Sequence, residues 1–310
     1  MARSDTEATL VEATDLLNIE LPDRRWSDES HLAWLYGANP FGPGVVGFRR
    51  SGDRLDAHYA NIPQRYRTPN GEMNMMFSLN AVTRSVAQRQ GHFWSIAEEV
   101  YERAAVECGA YGVIGVSNDN STPPVVKKLD FRLLGPLPVR IIPRGPAAEA
   151  VAHWPVDAAW LSSEAAEVLD GLDHPVSWGW RNRMTREYLT WRLSSPNTEP
   201  FHIHVSADLI AISVPSHLGP LAAAVVVKLI PRVDRRVMSA GPVISAICAH
   251  HGAAFAVYAG FNGRVPVRGF RPPRRLQPAP LNLIYRSLDQ RAAKHDFRLE
   301  TFEFLDMDAY

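Results

Sequence analysis

The residues of this chain whose types and spacing best suit chemistry form one short turn, Gln88-Arg89-Gln90-Gly91-His92-Phe93. A helix is predicted to begin at His92, and the first backbone amides of a helix have no partner inside it. These amides and the positive end of the helix dipole favour an anion, phosphate above all. The turn is therefore either a phosphate-binding loop or an ordinary basic surface turn.

The elements around the turn are needed to position it. Residues 72–82 alternate in polarity as a half-buried strand does. The apolar side of that strand is Met73, Met75, Phe77, Leu79 and Ala81. Residues 92–108 repeat apolar side chains on one helical face, and Gly109 ends the helix. A second strand over residues 111–116 follows, with the polar exit Ser117-Asn118-Asp119-Asn120.

This order of strand, turn, helix and strand resembles the acyl-CoA-binding core of the GNAT acyltransferase superfamily, whose pyrophosphate loop reads Gln/Arg-x-x-Gly-x-Gly/Ala. It looks most like the branch found in bacterial polysaccharide and amino-sugar gene clusters. The matching positions are Ser78, Leu79, Gln88, Gly91, Phe93, Asn118, Asn120, Ser121 and Phe131. Gln88 stands where that branch has arginine, and Arg89 and Asp130 stand where it has glycine.

The resemblance implies a co-substrate, acetyl-CoA or another acyl-CoA, and a set of residues that bind it. That set is Ala81, Val82, Gln88, Arg89, Gln90, Gly91, His92, Phe93, Asn118, Asn120 and Ser121. For the asparagines two interpretations stay open. They either bond the amides of the pantetheine arm or cap the helix that follows.

Acyl transfer to an amine needs a donor that holds the thioester carbonyl and a base that takes the amine proton. The family supplies the donor from the backbone of the strand before the loop, here Asn80, Ala81 and Val82. His58 is the first candidate base because its ordinary pKa is near neutrality. The alternative is that His58 is a structural histidine. Glu72 and Asp119 are the next candidate bases.

Val126 occupies the position at which many superfamily members have a tyrosine that protonates the departing CoA thiolate. The resemblance therefore predicts no general acid at this position. A thiolate tolerates this loss, since the thiol pKa of about 8.5 makes it a good leaving group.

Composition excludes several other classes of protein. With 310 residues, 46% hydrophobic content and 33 acidic against 33 basic residues, the chain is long enough for two domains. Zero formal charge argues against a nucleic-acid-binding protein. Two cysteines without metal spacing, no signal peptide and no long apolar run predict a cytoplasmic protein that spans no membrane.

Histidines are the only residues that raise the question of a metal. His202 and His204 share a strand face, and His250-His251 are adjacent in the chain. No cysteine or carboxylate of metal-binding spacing accompanies them in the sequence, so no metal site is predicted.

The second half of the chain repeats the first in order. Leu32-x-Trp34 is echoed by Leu189-x-Trp191, the strand before the turn by residues 221–230, and the helix by residues 243–251. The predicted fold is α/β (α+β), with tandem GNAT-like units whose mixed, mainly antiparallel sheets are flanked by helices. The predicted divisions are an N-terminal domain over residues 1–142, a linker over 143–159 and a C-terminal domain over 160–310.

The second copy has Pro231 and Pro242 around the loop position, and proline has no amide hydrogen to offer an anion. Only the first copy is expected to bind CoA. The resemblance implies N-acylation of a primary amine on a small molecule, first an amino sugar, possibly nucleotide-linked. The alternatives are an amino-acid, aminoglycoside or other natural-product acceptor, or a scaffold that binds CoA without catalysis.

Overall fold

The computed structural model describes residues 3–21, 29–146, 150–196, 200–234, 238–273, 280–289 and 297–307. Its helices are α1 Arg3–Glu20, α2 Glu29–Gly37, α3 His92–Cys108, α4 Thr122–Lys128, α5 Ala158–Leu161, α6 Arg186–Leu193 and α7 Gly241–His250. Its strands are β1 Val45–Ser51, β2 Arg54–Thr68, β3 Gly71–Thr83, β4 Gly112–Ser117, β5 Arg132–Pro136, β6 Val139–Pro143, β7 Ala152–Pro155, β8 Arg181–Asn182, β9 His202–Val205, β10 Leu209–Leu218, β11 Leu221–Pro231, β12 Phe255–Asn262, β13 Asn282–Ser287 and β14 Thr301–Glu303. Short 3-10 helices lie at Ser85–Ala87, Glu164–Leu169 and Phe304–Asp306.

The first sheet has the strand order β1-β2-β3-β4-β13-β5, with β8 beside β2. Helix α3 packs on it through Ile96 and Val100, which are fully buried because the apolar stripe of the helix faces the strands. Gly47 of β1 allows this close approach, since a Cβ there would lie 2.6 Å from Cγ2 of Ile96. The predicted helix over residues 92–108 is confirmed.

Strands β3 and β4 run parallel from Met75 opposite Gly112 to Ser78 opposite Gly115. Beyond that pair the ladder ends, although β3 continues to Thr83. The two strands therefore form a fork that opens toward the turn before α3. We call this the first fork.

The second sheet repeats this arrangement with the order β14-β12-β11-β10-β9-β7, and β6 also pairs with β12. Strands β11 and β12 are parallel from Ala223 opposite Phe255 to Val226 opposite Tyr258, and α7 packs on this sheet. We call the end of that ladder the second fork. Two mixed sheets flanked by helices confirm the predicted tandem units.

The two units share one core of buried apolar residues. Trp34 and Trp191, the echoed tryptophans, stack with ring centroids 5.0 Å apart. The Nε1 of Trp34 donates to the Trp191 carbonyl at 3.1 Å, and the Nε1 of Trp191 donates to the Trp34 carbonyl at 3.3 Å. This reciprocal pair places the repeated helices α2 and α6 against each other.

The sheets also exchange strands. Strand β6, which begins inside residues 1–142 and ends at Pro143, belongs to the second sheet. Strand β13, inside residues 160–310, belongs to the first. The domain ranges drawn from the sequence stay a prediction. A cut at residue 142 would separate the first sheet from β13.

The expected alternation of β3 is wrong at its end. Ala81 is exposed, whereas Asn80 and Val82 are buried. The reason is a bulge, since Asn80 and Ala81 together face the single residue Tyr59 of β2, and Asn80 has a left-handed φ of 52°. After the bulge, side chains that periodicity assigns to one face of the strand lie on the other face. Periodicity alone does not reveal this change.

None of the described helices combines the length and the apolar character that crossing a membrane requires.

Candidate functional site

The loop between β3 and α3 presents unpaired backbone amides. Arg89 and Gly91 have left-handed φ angles of 66° and 82°. Among the described residues, the amides of residues 89–93 donate no hydrogen bond, and the first amides of α3 that do are those of Trp94 and Ser95. Successive free amides in such a conformation form a concave anion site, and the dipole of α3 adds to it.

Two positions that depart from the resembled motif have a left-handed backbone. Arg89 and Asp130 stand where glycine was expected, and their φ angles are 66° and 52°. Glycine is favoured in this left-handed region because it has no Cβ, while aspartate tolerates it better than most residues. Both residues thus adopt the backbone conformation that glycine favours.

An open cavity of about 480 Å³ lies against this loop. It is lined by Thr83, Ala87, Gln88, Arg89, Gly91, His92, Phe93, Trp94 and Lys128. Lys128, at the end of α4, lies with its Nζ 4.7 Å from the Trp94 ring centroid. Arg89 and Lys128 bring two cationic side chains to the same cavity as the free amides, which suits a diphosphate.

A buried polar group lies at the bulge of β3. The Nδ1 of His58 is 3.0 Å from the carbonyl oxygen of Asn80, and the Asn80 Nδ2 donates to the Tyr36 hydroxyl at 2.7 Å. The Nε2 of His58 and the Oδ1 of Asn80 are buried and have no hydrogen-bond partner in the described part of the chain. Buried polar atoms without partners are rare, so such atoms mark a place for a polar ligand or water.

Burial also sets the charge of His58. Desolvation lowers the pKa of His58 to about 4, although the bond to the Asn80 carbonyl opposes this. The imidazole is therefore neutral at pH 7 and can accept a proton. Its low pKa makes it a weaker base than the sequence suggested.

Hydroxyl groups gather on the other face of the first fork. The Tyr59 hydroxyl lies 2.8 Å from the Ser78 Oγ and 2.7 Å from the Tyr101 hydroxyl. Ser78 is the last residue of β3 that pairs with β4. Desolvation raises the pKa of Tyr59 to about 12, so this phenol stays protonated at neutral pH.

The polar exit of β4 is held by its own hydrogen bonds. The Oδ1 of Asn118 accepts from the Asn120 amide at 3.0 Å and from the Ser121 amide at 2.9 Å. These bonds form a local turn before α4 and use the side-chain oxygen of Asn118. They do not cap α4, since its N-cap residue Ser121 makes no side-chain cap bond. Asp119 is exposed and accepts from the Asn282 Nδ2 at 3.0 Å.

Glu72 lies apart from the other predicted site residues. It is the second residue of β3 and lies ten residues before Val82, which corresponds to roughly 30 Å of strand. Its carboxylate pairs with Arg183 at 2.9 Å and with Arg67 at 3.7 Å. A position at the far end of the strand and two arginine partners make Glu72 part of an ion-pair network rather than of this cavity.

Sequence reasoning missed Lys128 and Tyr36. Lys128 is the last residue of a helix too short to show periodicity, and only the Lys127-Lys128 pair indicated a basic end. Tyr36 ends an apolar helix, where a tyrosine looks like core. Both reach the site through contacts between distant segments.

No protein-family model matches the chain, and no curated protein matches it in sequence. Solved structures do match its fold. A conserved protein from Enterococcus faecalis V583 described as a probable N-acyltransferase is 12% identical, with a TM-score of 0.61 over 91% of this chain and 71% of that one. A GCN5-related N-acetyltransferase from Anabaena variabilis ATCC 29413 is 10% identical, with a TM-score of 0.62 over 93% and 71%.

The N-myristoyltransferase of Saccharomyces cerevisiae with bound myristoyl-CoA is also similar, at 9% identity and a TM-score of 0.56 over 91% of this chain and 80% of that one. At these identities the likeness concerns the fold. The chain has the fold of GCN5-related N-acyltransferases across most of its length.

Proposed function

We propose that this protein is an acyl-CoA-dependent N-acyltransferase that acylates a primary amine. The observation that carries the proposal is the row of free amides at residues 89–93, located where the first fork opens. The anion-binding loop suits the pyrophosphate of an acyl-CoA, and the gap between the separated parallel strands suits its pantetheine arm. The fold shared with N-acyltransferases supports the same conclusion.

In this proposal the CoA pyrophosphate binds the loop amides, with Arg89 and Lys128 beside it. The pantetheine arm follows β3 from Thr83 toward Asn80, a distance of roughly 10 Å along the strand. Backbone groups of Asn80, Ala81 and Val82 are available there because β4 no longer pairs with β3. The exposed Asn118, Asn120 and Ser121 flank the exit of the other strand.

The reaction is direct transfer without a covalent enzyme intermediate. The amine nitrogen attacks the thioester carbonyl, the carbon–sulfur bond breaks, and CoA leaves as a thiolate. Before the attack, the ammonium form of the amine gives one proton to the Nε2 of His58, the buried nitrogen that has no other partner. The proton that the nitrogen loses when the amide forms goes to water. Asp119, acting through a water, is the next candidate base.

Val126 is exposed on α4 and supplies no proton to the thiolate. The hydroxyl network of Ser78, Tyr59 and Tyr101 lies at the fork and offers a neutral donor on the opposite face. The thiolate therefore either leaves unprotonated or takes a proton from water, with this network as a further possible donor.

For the acceptor, an amino sugar is our first candidate, possibly linked to a nucleotide, on the strength of the resembled gene-cluster branch. An amino acid, an aminoglycoside or another natural-product amine is the next. A CoA-binding scaffold without catalysis is a separate alternative, favoured by the altered residues Gln88, Arg89 and Val126.

Isothermal titration with acetyl-CoA, followed by a thiol-release screen against mixed amines and amino-sugar nucleotides, tests the proposal. We expect stoichiometric CoA binding and thiol release that depends on one class of amine. CoA binding without thiol release for any amine would favour the scaffold, and absence of CoA binding would refute the proposal.

A further inference from the structure

Five histidines from distant segments meet at one edge of the second sheet. We call them the histidine cluster. Its members are His153, His202, His204, His250 and His251. His153 lies on β7 opposite His204 of the neighbouring strand β9, and His250 and His251 end helix α7. The centroids of the neighbouring rings lie between 4.6 and 6.4 Å apart.

Hydrogen bonds order this cluster. The Nδ1 atoms of His153 and His204 are 2.6 Å apart, and the Nε2 of His204 lies 2.7 Å from the Ser213 hydroxyl. That hydroxyl is also 2.8 Å from the Nε2 of His251. On the outer side, the Nε2 of His250 lies 3.0 Å from the Nδ1 of His202.

The cluster contains no negative charge to balance protonated rings. Among the described residues, no carboxylate forms an ion pair with any of the five imidazoles. Neutral imidazoles are the form that binds a metal.

We propose that His202, His250 and His251 bind one divalent transition-metal ion, Zn²⁺ in the first instance. Their ligand nitrogens all lie within 4.8 Å of one another. Zinc at 2.0–2.1 Å from each nitrogen requires nitrogens roughly 3.4 Å apart, so small ring rotations complete the site. An all-imidazole set suits zinc, copper or nickel and does not suit magnesium or calcium.

The surroundings fit a metal in two further ways. His202 and His251 are half-buried, so their rings are held in place by packing, while His250 is exposed, so an ion can enter from solvent. The cluster also lies at the carboxyl end of the ten-residue helix α7, where the dipole favours a cation.

Ser213 and His204 support the proposed ligands from behind. With His251 bound through Nδ1, its Nε2 hydrogen is donated to Ser213, whose hydroxyl hydrogen is donated to the Nε2 of His204. The Nδ1 hydrogen of His204 is then donated to His153. Each nitrogen along this series of hydrogen bonds then acts as a donor or an acceptor, but not as both. Metal-bound histidines usually have hydrogen-bond partners of this kind.

The test uses the full-length protein without a polyhistidine tag, stripped with a chelator and dialysed against Zn²⁺. We expect one Zn²⁺ per chain and, with Co²⁺ as the probe, the visible bands of tetrahedral coordination. His250→Ala, at an exposed position, should weaken Zn²⁺ binding by roughly 100-fold, since even the loss of an outer partner costs 10- to 100-fold. Ser213→Ala should weaken it by about 10-fold.

The matched control is His217→Ala, which removes an exposed histidine of β10 outside the cluster and should leave Zn²⁺ binding unchanged. Zn²⁺ should raise the melting temperature of the parent and of His217→Ala but not that of His250→Ala. Absence of stoichiometric Zn²⁺ binding in the parent would overturn the proposal. Unchanged Zn²⁺ affinity in both His250→Ala and His202→Ala would also overturn the proposal. CoA binding is a separate readout, and its outcome does not bear on this site.

Discussion

The two forks occupy equivalent places in the two units and hold different residues. Asn80 lies two residues after the last parallel pair of β3, and Lys228 lies two residues after the last parallel pair of β11. Both strands have a register shift at this point. At the first fork the bulge lies beside the loop with free amides. At the second, Lys228 is buried against Asp306 at 2.6 Å and Glu303 at 3.1 Å.

The second fork is filled by the chain itself. Strand β14 and the 3-10 helix Phe304–Asp306 bring in both carboxylates, and Tyr258 and Asn262 bond Glu303. The cavity beside Lys228 has a volume of only about 10 Å³. The same forked strands can thus hold a ligand or a buried ion cluster, depending on whether another segment enters.

The largest effect is expected from Lys228→Met, which leaves two buried carboxylates without their cation. We expect the free energy of unfolding to fall by about 3–5 kcal/mol, measured by denaturant titration. CoA affinity should stay at the parental value, because the second fork is not the cofactor site. Lys127→Met, at an exposed lysine of α4, is the control and should keep near-parental stability. Parental stability of Lys228→Met would show that the ion cluster does not hold the second fork.

The next effect concerns stability at acid pH. The pKa of His58 is about 4 in the folded chain, whereas its ordinary value is 6.5. Between these two pH values the unfolded chain binds a proton at His58 and the folded chain does not. Stability is therefore lost as the pH falls from 6.5 to 4. Between pH 7 and 4.5 this loss is about 2–3 kcal/mol.

His58→Asn should remove that part of the acid sensitivity. Denaturant titrations of the parent and variant at both pH values measure it, and the difference between them cancels the other histidines. Equal acid sensitivity in the two proteins would mean that His58 is not held neutral by burial.

The same variant tests catalysis at the first fork. His58→Asn should lower the rate by about 10- to 1,000-fold at pH 7, because the amine loses its proton acceptor. The deficit should shrink as the pH rises through the pKa of the amine. A deficit that is constant from about pH 6 to 9.5 would make His58 structural, since an amine that is already neutral needs no base. His217→Asn, at an exposed site, is the matched control.

His92→Pro gives the first unit a proline in the first turn of its helix, as Pro242 does in the second. Proline suits this helical position but removes one free amide, so the helix should remain while CoA affinity falls about tenfold, or 1.4 kcal/mol. His92→Ala keeps the amide and removes only the imidazole, and it should bind CoA as the parent does. Titration calorimetry of the two variants shows whether the backbone amide or the imidazole of His92 contributes to CoA affinity. Equal affinities for His92→Pro and the parent would contradict the loop assignment.

The smallest effect is expected from Lys128→Ala. This exposed lysine lines the cavity, and its removal should weaken CoA binding about threefold at low salt. The difference should vanish at high ionic strength because salt screens exposed charges. Lys127→Ala, its neighbour outside the cavity lining, should show no change in affinity at either ionic strength.

Local patterns were enough for much of the fold. The amphipathic stripe of residues 92–108 predicted α3, and Gly109 marked its end, where the structure has a left-handed C-cap. The weak internal repeat predicted the paired units, and the stacked Trp34 and Trp191 show it in three dimensions. These features depend on neighbours in the sequence, or on order along it.

Other features depended on segments that meet only in the folded chain. Periodicity put Ala81 on the apolar face, and the bulge opposite Tyr59 reversed it. The exchange of β6 and β13 between sheets leaves no local mark.

By itself the sequence determined the two repeated units, the helix α3 and the loop that precedes it, because periodicity, turn residues and proline positions act locally. Only the tertiary structure decided the charge of His58, the ion pair of Glu72 with Arg183 and the meeting of five histidines. Burial and long-range pairing set those outcomes, since a pKa and a ligand set depend on which groups surround a side chain and not on its neighbours along the chain.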